Sequence, residues 1–146
     1  MTTYLADTNV VLRWALPHDP LSLPATNAVK LLHQRGDAVC VAAQNLIEFW
    51  AVATRPPASN GLGMTPAIAA AEIDRIGALF QVLGDTPTIF THWRRLVEGC
   101  GVSGRQVHDA RLAACMVAHG VSHILTFNVD DFRRYPGIVV VSPHHV

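Results

Sequence analysis

Short apolar runs alternate along the chain with longer stretches whose apolar positions recur at helical spacing, which is the order of an α/β sheet. A strand near TYLA leads into a helix opening at TNVVLRW, and a second helix runs through LPATNAVKLLHQ. A strand near AVCVA separates that helix from another through AAQNLIEFWAVA. The loop RPPASNGLG precedes a long helix expected from about Thr65 to Leu83, with Thr65 as cap, Pro66 in the first turn and Gly84 as its end. A short strand near TPTI, helices around FTHWRRLVEGC and from about Arg105 to His119, and strands near HILTF and GIVVV complete the pattern. No repeat or low-complexity tract interrupts it, and residues 1–146 are expected to form one domain.

Half of the residues are hydrophobic, enough for a continuous core at this length. Basic and acidic residues balance at 11 each, which argues against broad attraction to nucleic acid or to anionic membrane, so any RNA contact must come from local patches. Lys30 is the only lysine; the other cations are arginines, whose planar fork suits phosphate. Cys40, Cys100 and Cys115 are widely spaced, without a Cys-x-x-Cys, which disfavours a disulfide framework and a zinc ribbon and favours reduced thiols. The start, MTTYLADTN, lacks a secretion signal, and no apolar run approaches the ~18 residues that span a bilayer, so a cytoplasmic protein without membrane attachment is expected.

Acidic or amide residues interrupt apolar surroundings at Asp7, Glu48, Asp109 and the Asn128 to Asp131 turn. Burying an ionised carboxylate costs several kcal/mol unless it is paired, hydrogen-bonded or bound to a cation. Asp7 and Asn128 both follow strands, and the carboxyl ends of parallel strands are where crossovers open a crevice. Asp109 lies in the first turn of its helix, where the dipole favours the charged form, and shares a stripe with Ala113 and Met116. Glu48 is surrounded by Leu46, Ile47, Phe49, Trp50, Ala51 and Val52, which leaves it no exposed face; Arg55 is the alternative partner to a metal. Taken singly, Asp7 reads as an N-cap and Asp109 as a dipole partner. Three such positions together point to a metal-dependent nuclease, and oxygen ligands suit Mg²⁺.

Around them, Thr8 and Asn9 are expected to hold Asp7 or a bound water by hydrogen bonds. His108, Arg105 and Arg111 are candidates for RNA contact, as are the pairs Arg94–Arg95 and Arg133–Arg134, against the plainer reading of solvated surface groups. Trp14, Trp50 and Trp93 read as core rather than as base-stacking platforms, and NGLG as a simple turn.

The segments DTNVVLRW, EFWAVATRP running into NGLG, HDARLAA, and TFNVDDF followed by PGI occur in an order and spacing that resembles a PIN-domain ribonuclease of the VapC toxin type, almost end to end. The resemblance implies a three-layer fold with a central parallel sheet of about five strands flanked by helices. It implies Mg²⁺ or Mn²⁺ at an acidic cluster, endonucleolytic cleavage of RNA leaving a 5′-phosphate and a 3′-hydroxyl, a homodimer, and a VapB-like antitoxin as partner. By position Asp7, Glu48 and Asp109 match the family's first three acidic residues. Asn128 stands at the fourth, with Asp131 three residues on as the other candidate. An amide there weakens the site for a hard cation and leaves open one metal or two.

Two other classes share some of these features. An aspartyl-phosphate phosphatase or receiver domain also places Asp after a first strand, but needs a lysine late in the chain, and Lys30 is early and alone. A non-catalytic PIN-like module that binds RNA or protein would keep the fold without the metal.

Overall fold

Strand residues alternate between two faces, and here both faces are covered. The computed structural model describes Met1–Val146. Strands β1 (Thr3–Ala6), β2 (Ala38–Ala42), β3 (Gln81–Leu83), β4 (His123–Leu125) and β5 (Val139–Val141) form one parallel sheet in the order β3-β2-β1-β4-β5. Leu5, Cys40 and Ile124 enter one core; Ala6, Val41 and Leu125 enter the other.

The second of these cores is closed by helices α1 (Thr8–Ala15), α2 (Ser22–Gln34), α3 (Ala43–Thr54) and α4 (Pro66–Leu79), through Val10, Leu32, Phe49 and Ile76. The first is closed by α5 (Thr88–Cys100) and α6 (Gln106–His119), through Ile89, Leu112 and Met116. The result is the expected three layers around five parallel strands. Each fully buried large side chain contributes about 1.5–3 kcal/mol, and Phe49→Ala would cost about 3–5 kcal/mol.

Chain order places β2 and then β3 on one side of β1, while β4 and β5 lie on the other. The direction of winding therefore reverses between β1 and β4, and a crevice opens at their carboxyl ends. Asp7 and Thr126 sit at that point, joined through the backbone by the Asp7 N–H donating to the Leu125 carbonyl at 2.9 Å.

Thr65 caps α4 as expected, its hydroxyl accepting from the Ile68 N–H at 3.2 Å, with Pro66 first in the helix. The expected end of that helix is corrected: α4 stops at Leu79, Phe80 is extended, and Gln81–Leu83 is strand β3, paired with Cys40–Ala42. No Gly or Pro marks that break; pairing with an open sheet edge overrides the helical pattern. The strand expected near TPTI is corrected too, since Thr88 and Ile89 already belong to α5 and Pro87 stands just before it, where its fixed φ suits a helix start. NGLG is more than a turn: the N–H groups of Leu62, Gly63 and Met64 donate to the carbonyls of Val52, Arg55 and Ala53. A Cβ on Gly61 would lie 1.9 Å from the Arg55 carbonyl oxygen, so only glycine fits against that helix end.

Candidate active site at the switch point of the sheet

Asp7 is the N-cap of α1, in extended conformation, and only 7% exposed. Its Oδ1 accepts from the Thr8 N–H at 2.8 Å and its Oδ2 from the Thr126 hydroxyl at 2.8 Å. Capping and a role in the crevice therefore coexist, because each carboxylate oxygen keeps a further lone pair. Burial raises its pKa from 3.8 to about 6; the two hydrogen bonds oppose the rise, and the charges of Asp109 and Glu48 add to it.

Glu48 shares one face of α3 with Gln44, four residues earlier. Its Oε2 accepts from the Thr8 hydroxyl at 2.6 Å and its Oε1 from Gln44 Nε2 at 2.9 Å. Asn45 steadies the junction, donating to the Thr8 hydroxyl at 3.1 Å and accepting from the Ala42 N–H at 2.8 Å. Two expectations are corrected here. The helix does have an open face, with Ile47 67% exposed and Trp50 also exposed, and Glu48 is half-buried rather than enclosed. Arg55 is exposed and forms no ion pair with Glu48, whose partners are neutral donors.

Asp109 stands in the first turn of α6, ahead of the fully buried Ala113 and Met116. Burial, then the charges of Asp131 and Glu48, raise its pKa from 3.8 to about 6, while Arg134 pulls the other way. Asp131 is half-buried at the end of a 3₁₀ turn, Val129–Asp131, whereas the Asn128 side chain is exposed. Asn128 contributes its backbone N–H, which donates to the Thr126 hydroxyl oxygen at 3.0 Å. Asn9 acts on the same hydroxyl, through a long 3.4 Å contact, and accepts from the Phe127 N–H at 3.3 Å. Its effect on Asp7 runs through Thr126 rather than directly.

Five ion pairs occur in the molecule, and none includes Asp7, Glu48, Asp109 or Asp131. The charges of Glu48 and Asp109 reach Asp7, and those of Glu48 and Asp131 reach Asp109, yet no three carboxylate, imidazole or thiol groups close into a ready-made cage for an ion. By donor type the set fits a hard divalent cation: all oxygen, without an ion-pair contact, with Asp7 and Asp109 raised by burial. His119 and His123, four apart in sequence, share no helix face, because α6 ends between them and His123 lies on β4.

Of the expected RNA contacts, His108 is exposed and its carbonyl accepts from Gln44 Nε2 at 2.9 Å. Arg111 spans Gln44 Oε1 and Asp85 Oδ1, both at 3.0 Å. Arg105 is exposed and unpaired, outside this network. Sequence reasoning missed Thr126, Gln44 and Asn45. Thr126 follows β4 as Asp7 follows β1, and Gln44 lies one helical turn before Glu48; both signals were present but needed the strand order to acquire meaning.

The cysteines are free, and no helix is long and apolar enough to cross a membrane. No curated protein sequence matches the chain. Among solved structures it is similar to the DNA-bound VapBC of Salmonella typhimurium, with TM-score 0.72, 19% identity and coverage of 98% of this chain and 99% of that one. It is similar to a toxin-antitoxin complex from Klebsiella pneumoniae, with TM-score 0.65, 17% identity and coverage of 98% and 99%. A third is VapC20 of Mycobacterium tuberculosis, a sarcin-ricin loop cleaving toxin, with TM-score 0.63, 22% identity and coverage of 88% and 92%. At these identities the likeness is one of fold. The family model for the PIN domain matches residues 4–138, nearly the whole sheet with the acidic crevice at its centre, and the chain belongs to the PIN domain family.

Proposed function

We propose that residues 1–146 act as one domain, a metal-dependent endoribonuclease that works in the cytoplasm as the toxin of a toxin-antitoxin pair. The observation that carries this reading is the group of carboxylates at the switch point, Asp7, Glu48, Asp109 and Asp131, none of which has a cationic partner. Asp7 and Asp109 would hold Mg²⁺ or Mn²⁺ directly and Glu48 through water. Asp131, sharing the field of Asp109, serves as the fourth carboxylate in preference to the exposed amide of Asn128. When bound, such an ion lowers the pKa of water and stabilises charge developing on the phosphodiester.

The chain's own groups do the rest. Glu48, fixed between Thr8 and Gln44, is placed to take a proton from the attacking water. The Thr8 N–H and the Thr126 hydroxyl keep Asp7 in one orientation, with Asn9 behind Thr126. Arg111, Arg105 and His108 contact the RNA. The similar fold of a toxin that cleaves the sarcin-ricin loop supports a structured RNA with an accessible loop as substrate. The similar fold of a toxin-antitoxin complex supports a VapB-like antitoxin as partner, and the family resemblance supports a homodimer.

The test is incubation of tRNA and ribosomal RNA with the protein in Mg²⁺, in EDTA, and with Asp7→Asn or Asp109→Asn. Cleavage that needs Mg²⁺ and both aspartates is expected; undiminished cutting by either folded variant would end the proposal. One observation favours a second reading, a PIN-like module that binds without cutting: no three carboxylate, imidazole or thiol groups close around an ion. Calorimetric titration with Mn²⁺ separates the two, since a module of that kind takes up no ion at the acidic crevice.

A further inference from the structure

We propose that the cavity between α5 and α6 is a nucleobase subsite, which receives one unpaired base of an RNA strand whose neighbouring phosphate lies at the acidic crevice. The proposal rests on the nuclease reading for its substrate class and on separate residues for its chemistry.

The cavity measures about 470 Å³, within the range of sites for small ligands, and its walls are Phe90 and Trp93 from α5 with Val107, His108 and Arg111 from α6. Phe90 is 64% exposed, so its ring is open to a ligand. Its ring stacks on that of Trp93, with centroids 5.7 Å apart and 27° between the planes. The Trp93 indole N–H donates to the Val107 carbonyl at 2.8 Å, which fixes the orientation of the platform before any ligand arrives. The expectation that Trp93 is only a core residue is thus incomplete: it packs against the core beneath α5 and α6 and lines the cavity as well.

The stacked rings decide the occupant. The lining is mostly apolar, and a base offers a π face to Phe90 and Trp93 while its polar edge can turn toward His108 at the wall. Arg111 is held in place by Gln44 and Asp85, so its charge stays at the wall of the cavity. The cavity also adjoins the crevice: Gln44 binds Arg111, the His108 carbonyl and Glu48, and Asp109 follows His108 directly. A base held against Phe90 leaves the adjacent phosphodiester beside the carboxylates.

The test uses the full chain in EDTA and reads fluorescence anisotropy of labelled oligoadenylate, and of an equally long strand bearing abasic sites, for wild type, Phe90→Ala and Phe90→Trp. Phe90 lies outside the buried core, and circular dichroism verifies that each variant is folded. Phe90→Ala is expected to bind oligoadenylate about tenfold more weakly and Phe90→Trp at least as tightly as wild type. The abasic strand is expected to bind wild type and Phe90→Ala alike, and more weakly than oligoadenylate binds wild type. Equal affinity of wild type and Phe90→Ala for oligoadenylate overturns the proposal, as does an abasic strand that binds wild type as well as the base-bearing one. A loss of self-association in Phe90→Ala with unchanged RNA binding also overturns it, and gives the cavity to a second copy of the chain. Unchanged binding alongside Asp109-dependent cleavage removes the subsite and leaves the nuclease; base-dependent binding by a chain that never cleaves does the reverse.

Discussion

Carboxylates in the crevice and carboxylates on the outer helices and loops are stabilised in opposite ways. On the outside Asp19, Glu72, Asp85, Glu98 and Asp130 each meet an arginine. In the crevice the partners of Asp7 and Glu48 are two threonine hydroxyls, a glutamine amide and a backbone N–H. Neutral donors fix where an oxygen points without cancelling its charge; an arginine does both. The outer pairs are thus electrically finished, while the crevice keeps an oriented negative potential and bears the energetic cost of it. That contrast is what a site for a mobile cation requires.

Four measurements sharpen or break the contrast. The largest effect is on activity: several kcal/mol of transition-state stabilisation is a factor of about a thousand, and Asp109→Asn should lose that much in single-turnover cleavage of RNA while Asp130→Asn loses almost none. Comparable losses from both would erase the distinction. Next is pH. Folded Asp7 titrates near 6 against 3.8, so as pH rises the unfolded chain gives up its proton first. Its contribution to metal-free stability is intact below about pH 4, declines between about pH 4 and 6, and is lost above, by about 3 kcal/mol in all; half-buried Asp109 adds a smaller share in the same direction. Urea midpoints should show wild type falling behind Asp7→Asn across that window, and Mn²⁺ restoring wild type alone. A constant difference between the two proteins would contradict the assignment.

Thr126→Val comes third. It leaves Asp7 Oδ2 buried without its donor and should cost about 2 kcal/mol in denaturant melts, with a 10–100-fold loss of cleavage, roughly, through misorientation of Asp7. Full activity in this variant would mean that the hydroxyl merely fills space. The smallest effect is the control on the outer surface: Asp130→Ala breaks its 2.7 Å pair with Arg133 and should shift stability by less than about 0.5 kcal/mol. A larger change there would show that the outer pairs are not the inert counterpart described.

Much of the fold could be read directly. TYLA, AVCVA, HILTF and GIVVV announce four strands by their apolar runs, and Thr65-Pro66 announces a helix start by cap chemistry. The missed elements share one cause. Gln81–Leu83 carries no signal that distinguishes it from the helix before it, and becomes a strand because β2 presents an unpaired edge. Trp93 and Phe90 look like ordinary members of an apolar helix until the path of α6 leaves a gap beside them.

By itself the sequence determined the alternation of strands and helices and the two aspartates, Asp7 and Asp109, whose burial is costly. Local periodicity and the energetics of burying charge need no knowledge of neighbours distant in the chain. Only the tertiary structure decided that Thr126 holds Asp7, that Thr8 holds Glu48, and that the charge of Asp131 reaches Asp109. Those pairings join residues as much as 119 positions apart. The longest of them exists because β4 lies beside β1 and reverses the winding there, a choice made by the packing of whole layers and invisible in any single segment.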